Sequence, residues 1–265
     1  MMGAQHKVIS KDGTSIACAK SGHGPPLVLV HGTTADHTRW APVLATLEAR
    51  FTVHAVDRRG RGESGDAPAY AIEREFEDVA AVVDTIGGPV DLLGHSYGAI
   101  CSLGASVLTR NLRRLVLYEP PIPVNGPFYE PAVRERVHAL LDAGDRQGVV
   151  TAFFRDVAHM PPGELEMLQK LPNWPARVSA AATIPREMRV ADRYDFEPAR
   201  FAAMRTPTLL LLGGASPPFF RPAIEAVHAA LPVSRIVVLE GQQHVAMNTA
   251  PELFTRTVLD FLLAP

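Results

Sequence analysis

The sequence predicts an α/β fold: an open, mostly parallel, doubly wound sheet of eight strands with a helical insertion after the sixth. Three observations predict it. Short apolar or β-branched runs alternate with longer stretches of helical period. The run Leu27-Val28-Leu29-Val30 has no polar alternation, as in a strand covered on both faces. The alternation stops between Pro120 and about Arg205 and then resumes.

Val8 to Ser10 and Ser15 to Ser21 read as an antiparallel entry to the sheet, and Gly-Pro-Pro supplies the turn into the third strand, Leu27 to Val30. Trp40, Val43, Leu44 and Leu47 then recur at the spacing of one buried helical stripe, before a fourth strand at Phe51 to Val56. Ile72, Phe76, Val79, Val82, Val83 and Ile86 predict a helix stopped by Gly87-Gly88-Pro89. Val90 to Leu93 is the fifth strand, a small-residue helix runs from Gly94 to about Leu108, and Leu115 to Tyr118 is the sixth strand.

From Pro120 the rhythm is helical only. Val133, Val137, Leu140 and Leu141 make one stripe, and Val149 to Val157, Leu165 to Leu171 and Arg177 to Met188 read as further helices separated by Pro or Gly. The expected division is a sheet core at 1–120 and 206–265 and a helical cap at 121–205. Strands at Thr208 to Leu212 and Arg235 to Leu239, a helix at Arg221 to Leu231, and a closing helix from Pro251 to Leu263 complete the pattern.

Composition excludes several classes. Hydrophobic residues make up 47% of the 265 residues and charged ones 20%, enough apolar material for a sizeable core. The formal net charge is −2 and no block of like charges appears, so neither nucleic acid nor a membrane surface is an expected partner. The start, Met1 to Lys7, lacks the apolar stretch of a secretion signal, and Leu209 to Leu212 is far too short to cross a bilayer; a cytoplasmic location is expected. Cys18 and Cys101 form no Cys-x-x-Cys pair, and no His-Glu-x-x-His or Asp-rich cluster occurs, so no metal and no cofactor are expected. The oligomeric state is not legible.

Gly94-His95-Ser96-Tyr97-Gly98 places a Gly-x-Ser-x-Gly between a predicted strand and a predicted helix. A serine there sits on a tight turn whose neighbours two residues away must be glycine for the backbones to approach, which lifts the hydroxyl onto a helix N-terminus. Three further stretches follow in order: Val30-His31-Gly32-Thr33-Thr34, Asp57-Arg58-Arg59-Gly60-Arg61-Gly62-Glu63-Ser64, and Gly241-Gln242-Gln243-His244. With these four motifs the chain resembles the α/β-hydrolase superfamily over nearly its whole length outside the insertion.

The resemblance implies a nucleophilic Ser96, a general base at His244 in the loop past the last strand, and an oxyanion hole made by the backbone N–H groups of Thr33 and Tyr97. Relatives usually carry an Asp after the strand that ends here at Leu212, but Gly213 to Phe220 contains no carboxylate. Some relatives place the acid one strand earlier, which points to Glu119, with Asp57 or Glu63 as substitutes. His31 is expected to be structural and His95 to be the variable position of the elbow.

Thr34, Trp40, Phe128 and Phe219 are the candidate substrate-binding residues, while the other aromatic and Met side chains of the insertion are expected to pack internally. The expected function is a cofactor-independent serine hydrolase acting on an ester, thioester or lactone of a small-molecule acyl substrate. The alternatives are carbon–carbon bond hydrolysis or a lyase reaction on the same triad, or a non-enzymatic receptor for a small ligand.

Overall fold

Leu27 to Val30 explains the architecture by itself: every side chain is fully buried, yet Val28 and Val30 join one hydrophobic cluster while Leu27 and Leu29 join another. Side chains alternate across a strand, so a strand buried on both faces feeds two cores. The computed structural model describes residues 4–265; Met1 to Gly3 lie outside the described residues.

The strands are β1 (Ala4–Ile9), β2 (Ser15–Gly22), β3 (Pro26–Val30), β4 (Thr52–Val56), β5 (Val90–His95), β6 (Leu112–Tyr118), β7 (Thr208–Gly213) and β8 (Ser234–Leu239). They form one sheet in the order β1-β2-β4-β3-β5-β6-β7-β8, in which only β1 with β2 and β2 with β4 are antiparallel. The first strand starts earlier than its apolar pattern suggests. It is an edge strand with Ile9 exposed, and its pairing with β2, not side-chain burial, sets its length.

Helices cover both faces. On one side α2 (Ile72–Ile86), α3 (Tyr97–Ala105) and α9 (Phe220–Ala230) present Phe76, Val79, Leu103, Ile224 and Val227 to Val28, Leu92, Leu117 and Leu210. On the other, α1 (Ala41–Glu48) and α10 (Pro251–Leu262) present Val43, Leu47, Phe254 and Val258 to Leu29, Leu93, Val116 and Leu209.

Between β6 and β7 lie α4 (Pro131–Asp142), α5 (Arg146–Ala152), α6 (Pro162–Gln169), α7 (Trp174–Ser179) and α8 (Thr183–Ala191). They share a separate cluster that includes Val137, Val150, Phe154, Trp174, Ile184 and Met188. The single helix expected from Arg177 to Met188 is two helices, α7 and α8. Pro185 has no N–H to donate and fits only in a first turn, so a new helix begins at Thr183. Phe201 and Met204, within the expected cap boundary, pack into the main core instead. Among the described residues no helix is long and apolar enough to cross a membrane.

Candidate active site

Ser96 joins β5 to α3 with φ 57° and ψ −127°, a conformation L-residues rarely adopt. The two flanking glycines make it possible. A Cβ on Gly94 would lie 2.5 Å from the Gly98 carbonyl oxygen and 2.7 Å from the Ala99 Cα, and one on Gly98 would strike the carbonyls of Val30 and His31. The turn leaves Ser96 partly exposed in a stretch whose neighbours are buried. Thr34 and Glu119 also have positive φ, at 67° and 47°. Strain thus collects where the ends of β3, β5 and β6 meet.

His244 follows β8, and its Nδ1 lies 2.6 Å from Oε2 of Glu119, which is fully buried at the end of β6. The other carboxylate oxygen accepts the Gly213 N–H at 2.6 Å. Gly213 ends β7, so Glu119 reaches the same rim as an acid placed after β7 would. With the carboxylate accepting, Nδ1 carries the imidazole proton and Nε2 keeps its lone pair. No hydrogen bond joins the Ser96 hydroxyl to His244; such contacts commonly tighten only when substrate is bound. Among the described residues neither substitute acid, Asp57 or Glu63, bonds to His244. Asp57 binds the backbone N–H and Nδ1 of His37, each at 2.8 Å, and Glu63 is exposed.

Two residues beside the site have roles that the motifs did not show. His95 and Tyr118 are register partners on β5 and β6, with rings 5.3 Å apart. The Nε2–H of His95 donates to the His244 carbonyl at 2.8 Å, and the Tyr118 hydroxyl donates to the Gln243 carbonyl while accepting from the Ala246 N–H. Together they hold the loop that carries His244, so His95 is more than the elbow's variable position. Burial, then the neighbouring His244 and Arg39, pushes the His95 imidazole well below its ordinary pKa and keeps it neutral. His31 is structural, as expected: its Nε2 accepts the Arg58 N–H at 3.2 Å, so its Nδ1–H faces the Gly32 carbonyl.

Gly32 packs directly against Ser96, since a Cβ there would come within 2.7 Å of the serine Cβ. This brings the loop of Thr33 beside the elbow. Among the described residues the N–H groups of Thr33 and Tyr97 have no hydrogen-bond acceptor. An aromatic ladder leads away from the imidazole: Phe220 stacks on His244 at 4.5 Å, Phe219 lies 4.3 Å from Phe220, and Phe128 lies 4.7 Å from Phe219. Phe128 and Phe219 are half-buried along this path, and Phe128 also lines a cleft of about 720 Å³ with Tyr129, Arg155 and His159.

The structure corrects two of the four substrate-binding candidates. Trp40 is fully buried with Val43, Leu47 and Phe254 in the core beneath the sheet; the stripe that places it on a helix also turns it inward. Thr34 is 2% exposed, and its carbonyl and hydroxyl both accept from Nη1 of Arg177, at 3.0 and 2.9 Å. It anchors the insertion instead of facing a ligand.

The Asp57–Ser64 loop is salt-bridged, but across elements. Arg58 makes a two-point contact with Glu75 on α2 at 2.7 and 2.6 Å and reaches Glu187 on α8 at 2.7 Å; Arg61 also pairs with Glu187. The Arg58 guanidinium lies 4.6 Å over the Tyr97 ring. Among the described residues no group of three or more His, Cys, Asp or Glu is placed to hold a metal.

This constellation agrees with kinship. A sequence model described as the alpha/beta hydrolase family matches residues 27–257. A solved alpha/beta hydrolase from Sphaerobacter thermophilus is similar, with TM-score 0.84 and 39% identity, covering 97% of this chain and all of the other. Among curated relatives, a 2-(acetamidomethylene)succinate hydrolase of Mesorhizobium japonicum is 26% identical over 92% of this chain and 90% of its own. A pimeloyl-[acyl-carrier protein] methyl ester esterase of Neisseria meningitidis is 28% identical over 88% and 92%. With its eight-stranded sheet, helical insertion and elbow turn, the chain belongs to the alpha/beta hydrolase family and is kin to hydrolytic enzymes.

Proposed function

We propose that the protein is a serine hydrolase that cleaves an ester, thioester or lactone through an acyl-enzyme. The observation that carries this reading is the buried Glu119 carboxylate bonded to His244 Nδ1, on the same sheet rim as the strained Ser96 turn. Ser96 Oγ attacks the carbonyl carbon as its proton passes to His244 Nε2. The oxyanion that forms is held by the N–H groups of Thr33 and Tyr97. The imidazolium, stabilised by Glu119, then protonates the leaving group as the tetrahedral adduct collapses. In the second half His244 takes a proton from water, the hydroxide attacks the acyl carbon, and Ser96 leaves with the proton returned to it. The names of relatives span a methyl ester and an acetamidomethylene-succinate, so kinship leaves the scissile bond open.

Fluorophosphonate labelling tests the nucleophile. Labelling at neutral pH is expected in the wild type and absent in Ser96→Ala. An unlabelled Ser96 in a protein that still binds a small ligand would make it a receptor of this fold. Glu119→Gln should lower turnover of para-nitrophenyl acetate by about 10³–10⁴-fold with the melting temperature unchanged. Near-normal turnover would remove Glu119 from the mechanism.

A further inference from the structure

Among the described residues three of the four buried arginines meet a carboxylate: Arg58 and Arg59 do so with one particular edge, and Arg61 through Nη2 alone, its own Nε being unpartnered. Nε and Nη2 together face Glu75 from Arg58 and Asp78 from Arg59, and the more exposed Arg113 and Arg155 use the same edge on Asp91 and Asp156. This edge is a two-donor fork matched to the two oxygens of a carboxylate. On Arg177, from α7, the same edge is vacant. The residue is only 6% exposed, its Nη1 is spent on Thr34, and its buried Nε has no hydrogen-bond partner.

A second guanidinium near it is also uncompensated. Arg39, in the 3-10 turn His37–Trp40, donates Nη1 to the Asn248 side-chain oxygen at 2.6 Å and Nη2 to the Met247 sulfur at 3.0 Å, both neutral. Among the described residues neither Arg39 nor Arg177 makes a salt bridge. Asp36 is the carboxylate whose charge Arg177 feels, and its Oδ1 is taken by the Thr38 N–H at 2.9 Å and by the Thr38 hydroxyl. Burial, then the presence of Arg177, pushes the Arg39 guanidinium down to about 9.

The attachments of both arginines put them at the candidate site. Arg177 is held by Thr34, next to the oxyanion-loop residue Thr33, and Arg39 is held by Met247 and Asn248, in the segment that follows His244. We propose that Arg39 and Arg177 form a carboxylate subsite, so that the substrate is an acyl compound with a second, free carboxylate, which the vacant Nε/Nη2 edge of Arg177 takes side-on. This rests on the hydrolase reading for the reacting bond, but not for the binding of the anion.

The test pairs the mono-para-nitrophenyl ester of glutarate with uncharged para-nitrophenyl pentanoate. The wild type is expected to favour the anionic ester in kcat/KM by at least about tenfold. Arg177→Met and Arg39→Met should each erase most of that ratio by raising KM for the anionic ester, and Arg177→Lys should restore part of it. The two arginines lie on different elements, so misfolding of one variant, read by its melting temperature, leaves the other informative. Comparable hydrolysis of both esters by the wild type, or a ratio that survives both Met variants, overturns the subsite and leaves the hydrolase reading standing. If neither ester is cleaved and Ser96 is not labelled, the thermal shift caused by free glutarate decides. A shift in the wild type and Ser96→Ala that is lost in the Met variants upholds the subsite while the hydrolase reading fails. No shift in any protein overturns the subsite.

Discussion

Arg58 and Arg61 join the helical insertion to the sheet core, while Arg177 and its neighbour Arg39 form a second set, and the two sets are compensated in opposite ways. Arg58 and Arg61 meet Glu187 of α8, and Arg58 also grips Glu75; burial alone would lower the Arg58 pKa, but Glu187 and Glu75 raise it well above its ordinary value. Arg177 and Arg39 hydrogen-bond to carbonyl, hydroxyl, amide and thioether groups, Arg177 also lies 5.7 Å over the Phe154 ring, and burial lowers both. The first set offsets its desolvation inside the protein, as a structural clamp must. The second leaves that cost open, which is what the proposed carboxylate subsite requires.

The largest expected effect comes from breaking the clamp. Glu187 is 1% exposed and serves both Arg58 and Arg61, so Glu187→Gln leaves two buried guanidiniums short of an anion. It should lower stability by about 3–5 kcal/mol in a urea titration. A loss below about 1 kcal/mol would show that the two arginines rehydrate freely and that the cluster is no clamp.

Acid sharpens the contrast next. Burial would raise Glu75, but Arg58 overrides it and holds the carboxyl well below its usual range, so Glu75 keeps its charge as pH falls through 5. The histidines respond earlier. His31 is held far below its ordinary pKa by burial with Arg58 and Arg61, His95 by burial with His244 and Arg39, and His54 is lowered to about 4 by burial with His6 and Lys20. Groups with depressed folded pKa values contribute stability that is fully present above the unfolded value, about 6.5, and is lost as pH falls below it. His37, raised by its hydrogen bond to Asp57, works the other way and loses its contribution as pH rises above the same value. Melting temperatures should therefore drop progressively from pH 6.5 to 5, with a smaller decline above pH 6.5 as His37 loses its proton. A flat profile down to pH 5 would mean that these imidazoles are not held neutral.

The smallest effect belongs to the unpaired set. Arg177→Met removes an uncompensated buried charge along with two hydrogen bonds to Thr34, and the two terms oppose each other. Stability should stay within about 1 kcal/mol of wild type. A loss as large as that of Glu187→Gln would make Arg177 another structural tie.

Much of the scaffold was legible before any coordinates. Leu27 to Val30, Leu115 to Tyr118 and Thr208 to Leu212 are strands because apolar runs of that length have few other uses in a chain that alternates with helices. Ser96 and His244 were legible from motif and place, and Glu119 from the missing carboxylate after β7. Thr34 and Trp40 were misjudged as ligand contacts because residue type and neighbourhood do not say which way a side chain points or what already occupies it. His95 and Tyr118 were not legible as loop supports, since their partnership is a register pairing between strands that are not adjacent in the chain.

The sequence by itself determined the layering, because hydrophobic period decides locally which face of each strand and helix leaves water. It also determined the elbow, because only glycine tolerates the approach of Gly98 to the Val30 and His31 carbonyls. The tertiary structure alone decided which arginines are left without a carboxylate among the described residues. Charge pairing depends on distance and burial among residues far apart along the chain, and no local pattern encodes either.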